Sequence, residues 1–99
     1  MPRHELDYQI LDAVADDVES VDNIRGKVEP SGLLSGSNLL EALRRLTSDR
    51  LVEVCLLDGR ELVGVGEGVW PPGSAADMWF RITSRGTMVH GTWADEGAA

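Results

Sequence analysis

The chain has 99 residues, 26% of them charged and 42% hydrophobic, with 17 acidic against 9 basic side chains and a net charge of −8. This length suits a single domain with one core, and the composition excludes wholesale disorder. The longest uncharged run, 30–40, is far shorter than the roughly 20 apolar residues that span a bilayer. No secretory signal opens the chain. We therefore expect a cytoplasmic protein that does not associate with membranes.

The negative charge is distributed unevenly. Residues 1–29 hold eight acidic and three basic side chains, residues 30–55 hold three of each, and residues 56–99 hold six and three. The middle segment is therefore the least negative part of the chain, although it is neutral rather than basic. Only one of the nine basic residues is a lysine. Genome composition or a salty cytoplasm would produce this bias whatever the function of the protein.

The first half of the chain has the periodicity of three helices. Apolar residues at helical spacing predict a first helix over 5–18. Ser20 is a suitable N-cap for a second helix over 21–28, which Pro30 follows. A third helix is expected from a cap at Ser35 or Ser37 to about Asp49. Its predicted buried stripe consists of Leu39, Leu40, Leu43 and Leu46.

The second half has the alternation of strands. Residues 52–57 alternate, Asp58-Gly59 is a strong hairpin signal, and residues 60–65 are expected to return as a partner strand. A stretch rich in Gly and Pro precedes a strand over 78–83. A short closing helix is expected over 84–90, with Gly91 as its stop. The expected domain is 1–91, followed by a short, acidic, flexible tail over 92–99.

These landmarks resemble a winged helix-turn-helix domain. They are the Ser-capped, Leu-rich third helix, the Leu51-Val52 strand start, and Ile82-Thr83 followed by Gly86. The resemblance is to small transcriptional regulators of the MarR and PadR type. It implies an α+β fold in which a three-helix core carries a small antiparallel sheet, and the span 58–77 implies an elongated wing with an extra strand. Arg50 departs from the pattern, because such families commonly place Gly there.

The resemblance implies binding of double-stranded DNA, with the third helix in the major groove. The residues that suit base contacts are Ser37, Asn38 and Arg45, because Asn pairs with adenine and Arg with guanine. Ser35, Ser37 and Arg44 suit phosphate contacts, and Arg60 is the basic residue of the wing. Against this, Glu41, Arg45 and Asp49 are spaced to form an ion-pair ladder on the outward face. A symmetric homodimer would double the limited cationic surface.

A second interpretation is a winged-helix module that binds a protein partner instead of DNA. The acidic first helix and acidic wing support it, and Trp70 and Trp93 are its candidate contact residues. Their alternative role is ordinary packing. Neither His4 nor His90 has metal-ligand spacing, so we predict no metal site, no cofactor and no enzymatic activity. Cys55 falls in a predicted strand, where a small buried thiol is expected.

Overall fold

The computed structural model describes residues 5–36 and 38–98, which form a mixed α+β fold. Four helices and a four-stranded antiparallel sheet make up the described chain. In chain order the elements are α1 (Glu5–Ala13), β1 (Glu19–Ser20), α2 (Val21–Val28), α3 (Asn38–Ser48), β2 (Val52–Asp58), β3 (Glu61–Gly64), β4 (Trp79–Ile82) and α4 (Ser84–Ala98). Short 3-10 turns lie at Glu29–Ser31 and Ala75–Asp77.

The first helix is shorter than the periodicity predicts. α1 ends at Ala13, and the side chain of Asp17 accepts a hydrogen bond of 2.8 Å from the N–H of Val18. Such local side-chain bonding competes with the helix for backbone donors. The chain then forms β1, in which Glu19 and Ser20 pair with Phe80 and Trp79 of β4. This two-residue strand was not predicted, because its pairing depends on a segment some 60 residues further along.

The second helix has the predicted bounds and cap. The Ser20 side chain accepts a hydrogen bond of 3.2 Å from the N–H of Asn23, and Val21, Ile24 and Val28 are buried. The 3-10 turn that contains Pro30 follows directly, and Gly32 then adopts a left-handed conformation with φ 76°. This turn redirects the chain toward α3.

The sheet has the strand order β1-β4-β2-β3, and every neighbouring pair is antiparallel. β2 and β3 form the predicted hairpin, with Asp58 opposite Glu61 and Gly59 at φ 67°. β3 is the predicted extra strand. A long connection, 65–78, then crosses to β4 on the other side of β2, and its Met78 is buried in the core.

The last helix continues beyond its predicted end. α4 runs from Ser84 to Ala98, so the predicted stop at Gly91 is wrong. Glycine lowers helix stability by about 1 kcal/mol relative to alanine without terminating a helix. Packing compensates here, since His90 and Trp93 lie against Tyr8 of α1. Residues 92–98, predicted to be a flexible tail, therefore belong to this helix.

Thr83 and Gly86 join the sheet to α4. The Thr83 hydroxyl lies 2.6 Å from the carbonyl oxygen of Arg50 and accepts a 3.0 Å hydrogen bond from the N–H of Gly86. A Cβ at Gly86 would lie 2.8 Å from Ile82 Cγ1 and closer still to the carbonyl oxygen of Leu51. The Thr-x-x-Gly pattern thus marks the first turn of α4, where Gly86 packs directly against the backbone of Leu51, just before β2.

One core holds these elements together. Its largest fully buried side chains come from α1, α2, α3, the sheet and Met78, and Phe80 of β4 is the largest of them. None of the helices in the described part of the chain has the length and hydrophobicity needed to cross a membrane.

Candidate nucleic-acid interface

Helix α3 presents the side that the sequence predicts. Leu39, Leu43 and Leu46 are buried in the core, while Leu40 is half-buried. Glu41, Arg44 and Ser48 are exposed. Three of the four leucines of the predicted stripe are therefore buried, and the opposite side of the helix presents polar side chains to solvent.

Asn38 acts in the turn that starts α3. Its Oδ1 accepts a 3.0 Å hydrogen bond from the N–H of Ser35, and its Nδ2 donates one of 2.9 Å to the carbonyl oxygen of Leu33. Both ends of the amide are thus engaged by the backbone of the turn. Ser35 is exposed. Ser37, the other predicted cap and contact, lies outside the described residues.

The side chain of Arg45 does not extend freely into solvent, because it binds an acid on another helix. This corrects the prediction that Arg45 forms an ion-pair ladder with Glu41 and Asp49 on α3. Its guanidinium binds the carboxylate of Asp7 on α1, with Nε 3.4 Å from Oδ2 and a second ion pair from Nη2 to Oδ1. The Asp7 side chain is fully buried, whereas that of Arg45 remains 39% exposed. Charge attraction to a residue 38 positions away outweighs the weak spacing preference along one helix.

Arg44 is the exposed arginine of α3, and it stacks on a tryptophan. Its guanidinium carbon lies 4.7 Å from the centroid of the Trp70 ring. Trp70 is half-buried and contacts Phe80 of the core, with ring centroids 5.9 Å apart. The long connection therefore lies alongside α3, and its tryptophan fixes the position of the neighbouring cation.

Arg50 reaches the same connection from the turn after α3. Its φ of 63° makes it the one non-glycine residue with positive φ among residues 5–36 and 38–98. The turn thus keeps the left-handed shape that glycine commonly supplies, at a cost of about 1 kcal/mol. The Arg50 Nε lies 3.4 Å from where a Cβ on Gly68 would be, so its side chain runs along Gly68.

Arg60 occupies the tip of the β2–β3 hairpin and is exposed. It stands between Asp58 and Glu61, so this tip carries both signs of charge. No ion pair joins Arg60 to an acid within the described residues.

Trp93 packs inside the chain. Its ring packs edge-on against the ring of Tyr8, with the two centroids 5.6 Å apart. The imidazole of His90 stacks on the same Tyr8 ring, with a centroid distance of 5.3 Å. The His90 Nε2 also lies 3.0 Å from Asp12 Oδ1. These contacts fasten α4 to α1, so Trp93 takes part in ordinary packing. The described residues include no cluster of metal-ligating side chains.

The outer face of the sheet carries an ion pair and the buried cysteine. Arg81 donates hydrogen bonds of 3.0 and 2.7 Å to Glu53, which also accepts one of 2.8 Å from the N–H of Gly66. Burial alone would raise the pKa of Glu53, but these donors outweigh it and lower the pKa. The Cys55 side chain is buried, as predicted, and this burial raises the pKa of its thiol.

A shallow groove lies between the end of β2 and the long connection. Leu57, Pro72 and Trp79 provide its apolar lining, and Asp77 lies at its edge. Leu57 is 62% exposed, which is high for a leucine in a strand. No local pattern in the sequence indicates this groove, because Leu57 and Pro72 in its lining lie 15 positions apart.

Comparisons with protein-family models, curated proteins and solved structures give no match for this chain.

Proposed function

We propose that this chain is a winged-helix protein that binds double-stranded DNA and acts as a transcriptional regulator. In this proposal α1, α2 and α3 are the helix-turn-helix core, α3 is the recognition helix, and the β2–β3 hairpin with the connection 65–78 is an elongated wing. The observation that carries the proposal is the arrangement of α3. Its Leu39, Leu43 and Leu46 are buried in the core, while Arg44 is exposed on the solvent side.

The order of elements also supports it. The strand β1 lies between the first two helices and pairs with β4, which in turn pairs with β2. This places a small antiparallel sheet directly after α3, with an exposed arginine, Arg60, at the tip of the projecting hairpin. Arginines on a helix and on a neighbouring hairpin are suited to contact a groove and the flanking phosphates.

The structure changes the relative weight of the proposed contacts. Of the proposed contact residues, Arg44, Arg60 and Ser35 are exposed, so these are the residues best placed to reach DNA. Asn38 would have to give up its bonds to the turn before it could read a base. Arg45 would have to leave Asp7. The proposed interface therefore relies more on phosphate contacts than on base readout by these two residues.

Electrophoretic retardation of genomic DNA fragments at low salt tests this function. We expect the full chain to retard the fragments, and Arg44→Ala and Arg60→Ala each to weaken binding about three- to tenfold through loss of a cationic contact. Arg25→Ala removes the same charge from an exposed position on α2 and serves as the control. The absence of any retardation by the wild-type chain would refute the proposal.

A second candidate is a protein-binding module, and the groove beside β2 favours it. Exposed Leu57 next to Trp79, with Asp77 and Asp58 close by, would suit a partner segment that carries apolar and basic side chains. Trp70 and Trp93, the contact residues that the sequence suggests for this function, both pack within the chain, although each remains half-buried. A chain that binds no DNA but loses a co-purifying partner on Leu57→Ser would support this candidate.

A further inference from the structure

Two arginines that lie six positions apart converge on one short piece of the long connection. Arg44 stacks on the ring of Trp70, and the Arg50 side chain runs along Gly68. Residues 68 and 70 are at most about 7 Å apart even in an extended chain. The two arginine side chains therefore contact the same three-residue stretch of the connection, one from α3 and the other from the turn that follows it. We refer to residues 68–70 as the brace.

The brace presents both arginines to solvent. Arg44 and Arg50 are exposed, as are Gly68 and Val69 between them. No carboxylate in the described part of the chain forms an ion pair with either arginine, in contrast to Arg45, Arg81 and Lys27. Arg25 and Arg60 likewise form no ion pair within the described residues, so Arg44 and Arg50 are distinguished by their shared contact with residues 68–70.

Arg50 also retains an unfavourable backbone conformation. A non-glycine residue at φ 63° is disfavoured relative to glycine, and backbone strain of this kind clusters at functional sites. A guanidinium that is already held on a glycine or on an aromatic ring loses less freedom when it binds a phosphate.

We propose that Arg44 and Arg50, positioned by the brace, form a paired phosphate contact to the DNA backbone. This inference rests on the DNA binding proposed above. It assigns Arg50 as a contact residue and Trp70 as the residue that positions Arg44. The long connection then serves to hold the two cations beside α3, and it does not need to enter a groove itself.

The salt dependence of binding to a labelled random-sequence 30-bp duplex tests the pair. Each phosphate contact contributes about 0.9 to the slope of log affinity against log salt concentration. We expect Arg44→Ala and Arg50→Gly each to lower the slope by about that amount, and Arg25→Ala to leave it unchanged. Unchanged slopes for Arg44→Ala and Arg50→Gly, with normal wild-type binding, would refute this inference alone. No wild-type binding would refute the DNA function as well.

Arg50→Gly separates function from folding. Glycine relieves the positive φ, so the variant should unfold at a higher denaturant concentration than the wild type while it binds the duplex several-fold more weakly. A variant that is stabilised and binds as tightly as the wild type would show that Arg50 makes no contact.

The role of Trp70 is tested by a double-mutant cycle. Trp70→Phe retains an aromatic face and should preserve affinity, whereas Trp70→Leu retains apolar packing on Phe80 and should weaken binding several-fold. In an Arg44→Ala background, Trp70→Leu should have no further effect, because Trp70 acts through Arg44. An equal loss in both backgrounds would contradict the positioning role.

Discussion

The two side chains of the ion pair between Asp7 and Arg45 differ in their exposure to solvent. Asp7 is fully buried, whereas the Arg45 side chain is 39% exposed and can reach water without its partner. Removing the arginine would leave a carboxylate in the core with no counter-charge, while removing the carboxylate would leave an arginine that can turn outward. The cost of disrupting the pair therefore depends on which residue is replaced.

We predict that Arg45→Ala lowers the free energy of unfolding by about 3 kcal/mol, and Asp7→Asn by only about 1 kcal/mol. Urea denaturation followed by circular dichroism measures both. Equal losses for the two variants would show that the burial of Asp7 does not control the energetics. The comparison also shows how much of any loss of DNA binding in Arg45→Ala results from unfolding.

Glu53 links stability to pH on the acid side. Because its pKa is lowered in the folded chain, its ionised form stabilises the fold above the ordinary glutamate pKa of about 4.3. This contribution is lost as the pH falls through the lowered pKa. Half of the Arg81 side chain is exposed, so solvent screening limits the contribution to about 1 kcal/mol.

Glu53→Gln should therefore destabilise the chain by about 1 kcal/mol at pH 7, and the difference from the wild type should shrink on acidification below pH 4.3. Denaturant titrations between pH 3 and pH 7 measure this. Glu61→Gln, at an exposed position on β3, is the control and should show no such trend. A difference that stays constant with pH would exclude ionisation of Glu53 as its origin.

At the scale of elements, two glycines of α4 have opposite structural roles. Gly86 is pressed against the backbone of Leu51, so any side chain there must displace the junction between β2 and the helix. Gly91 has no atom within 4 Å of the position that its Cβ would take. One glycine is thus required for close approach, and the other only weakens the helix.

We predict that Gly86→Ala destabilises the fold by at least about 2 kcal/mol, because overpacking against backbone forces the chain to move. Gly91→Ala should instead stabilise it by about 0.5–1 kcal/mol through helix propensity. Thermal unfolding of the two variants measures both signs. If Gly86→Ala were stabilising, the distance between Gly86 and the backbone of Leu51 would have to be larger than it is in this structure.

Local signals account for the elements that the sequence predicted correctly. α2 has its own cap in Ser20, α3 has its leucine stripe, and the β2–β3 hairpin has Asp58-Gly59. The elements that the sequence missed depend on distant partners. β1 forms because it pairs with β4. α4 continues beyond Gly91 because its His90 and Trp93 pack against Tyr8 of α1.

The candidate site was predictable only in part, for the same reason. Helix periodicity predicts Arg45 on the outward face and Arg44 beside it, whereas the structure leaves Arg44 the more exposed of the two. The engagement of Arg45 by Asp7, and of Arg44 by Trp70, joins segments that lie far apart in the sequence. No pattern along one helix contains that information. The departure at Arg50 was visible as a missing glycine, but its contact with Gly68 was not.

For the whole molecule, the net charge of −8 opposes the proposed binding of DNA, whereas local arginines favour it. The acidic surface opposes DNA at long range, and salt screens that repulsion beyond about 10 Å at 0.1 M ionic strength. Short-range arginine contacts can then determine binding, and a homodimer would present two sets of them. The proposed interface thus depends on where a few cations lie, and less on the total charge.

The stacking of Arg44 on Trp70 also gives the molecule a built-in optical reporter. Indole emission responds to a cation held against the ring, and the other two tryptophans lie elsewhere, Trp79 in β4 and Trp93 against Tyr8. Once Trp79 and Trp93 are replaced by phenylalanine, the fluorescence of the remaining indole would register any movement of the guanidinium without an added dye.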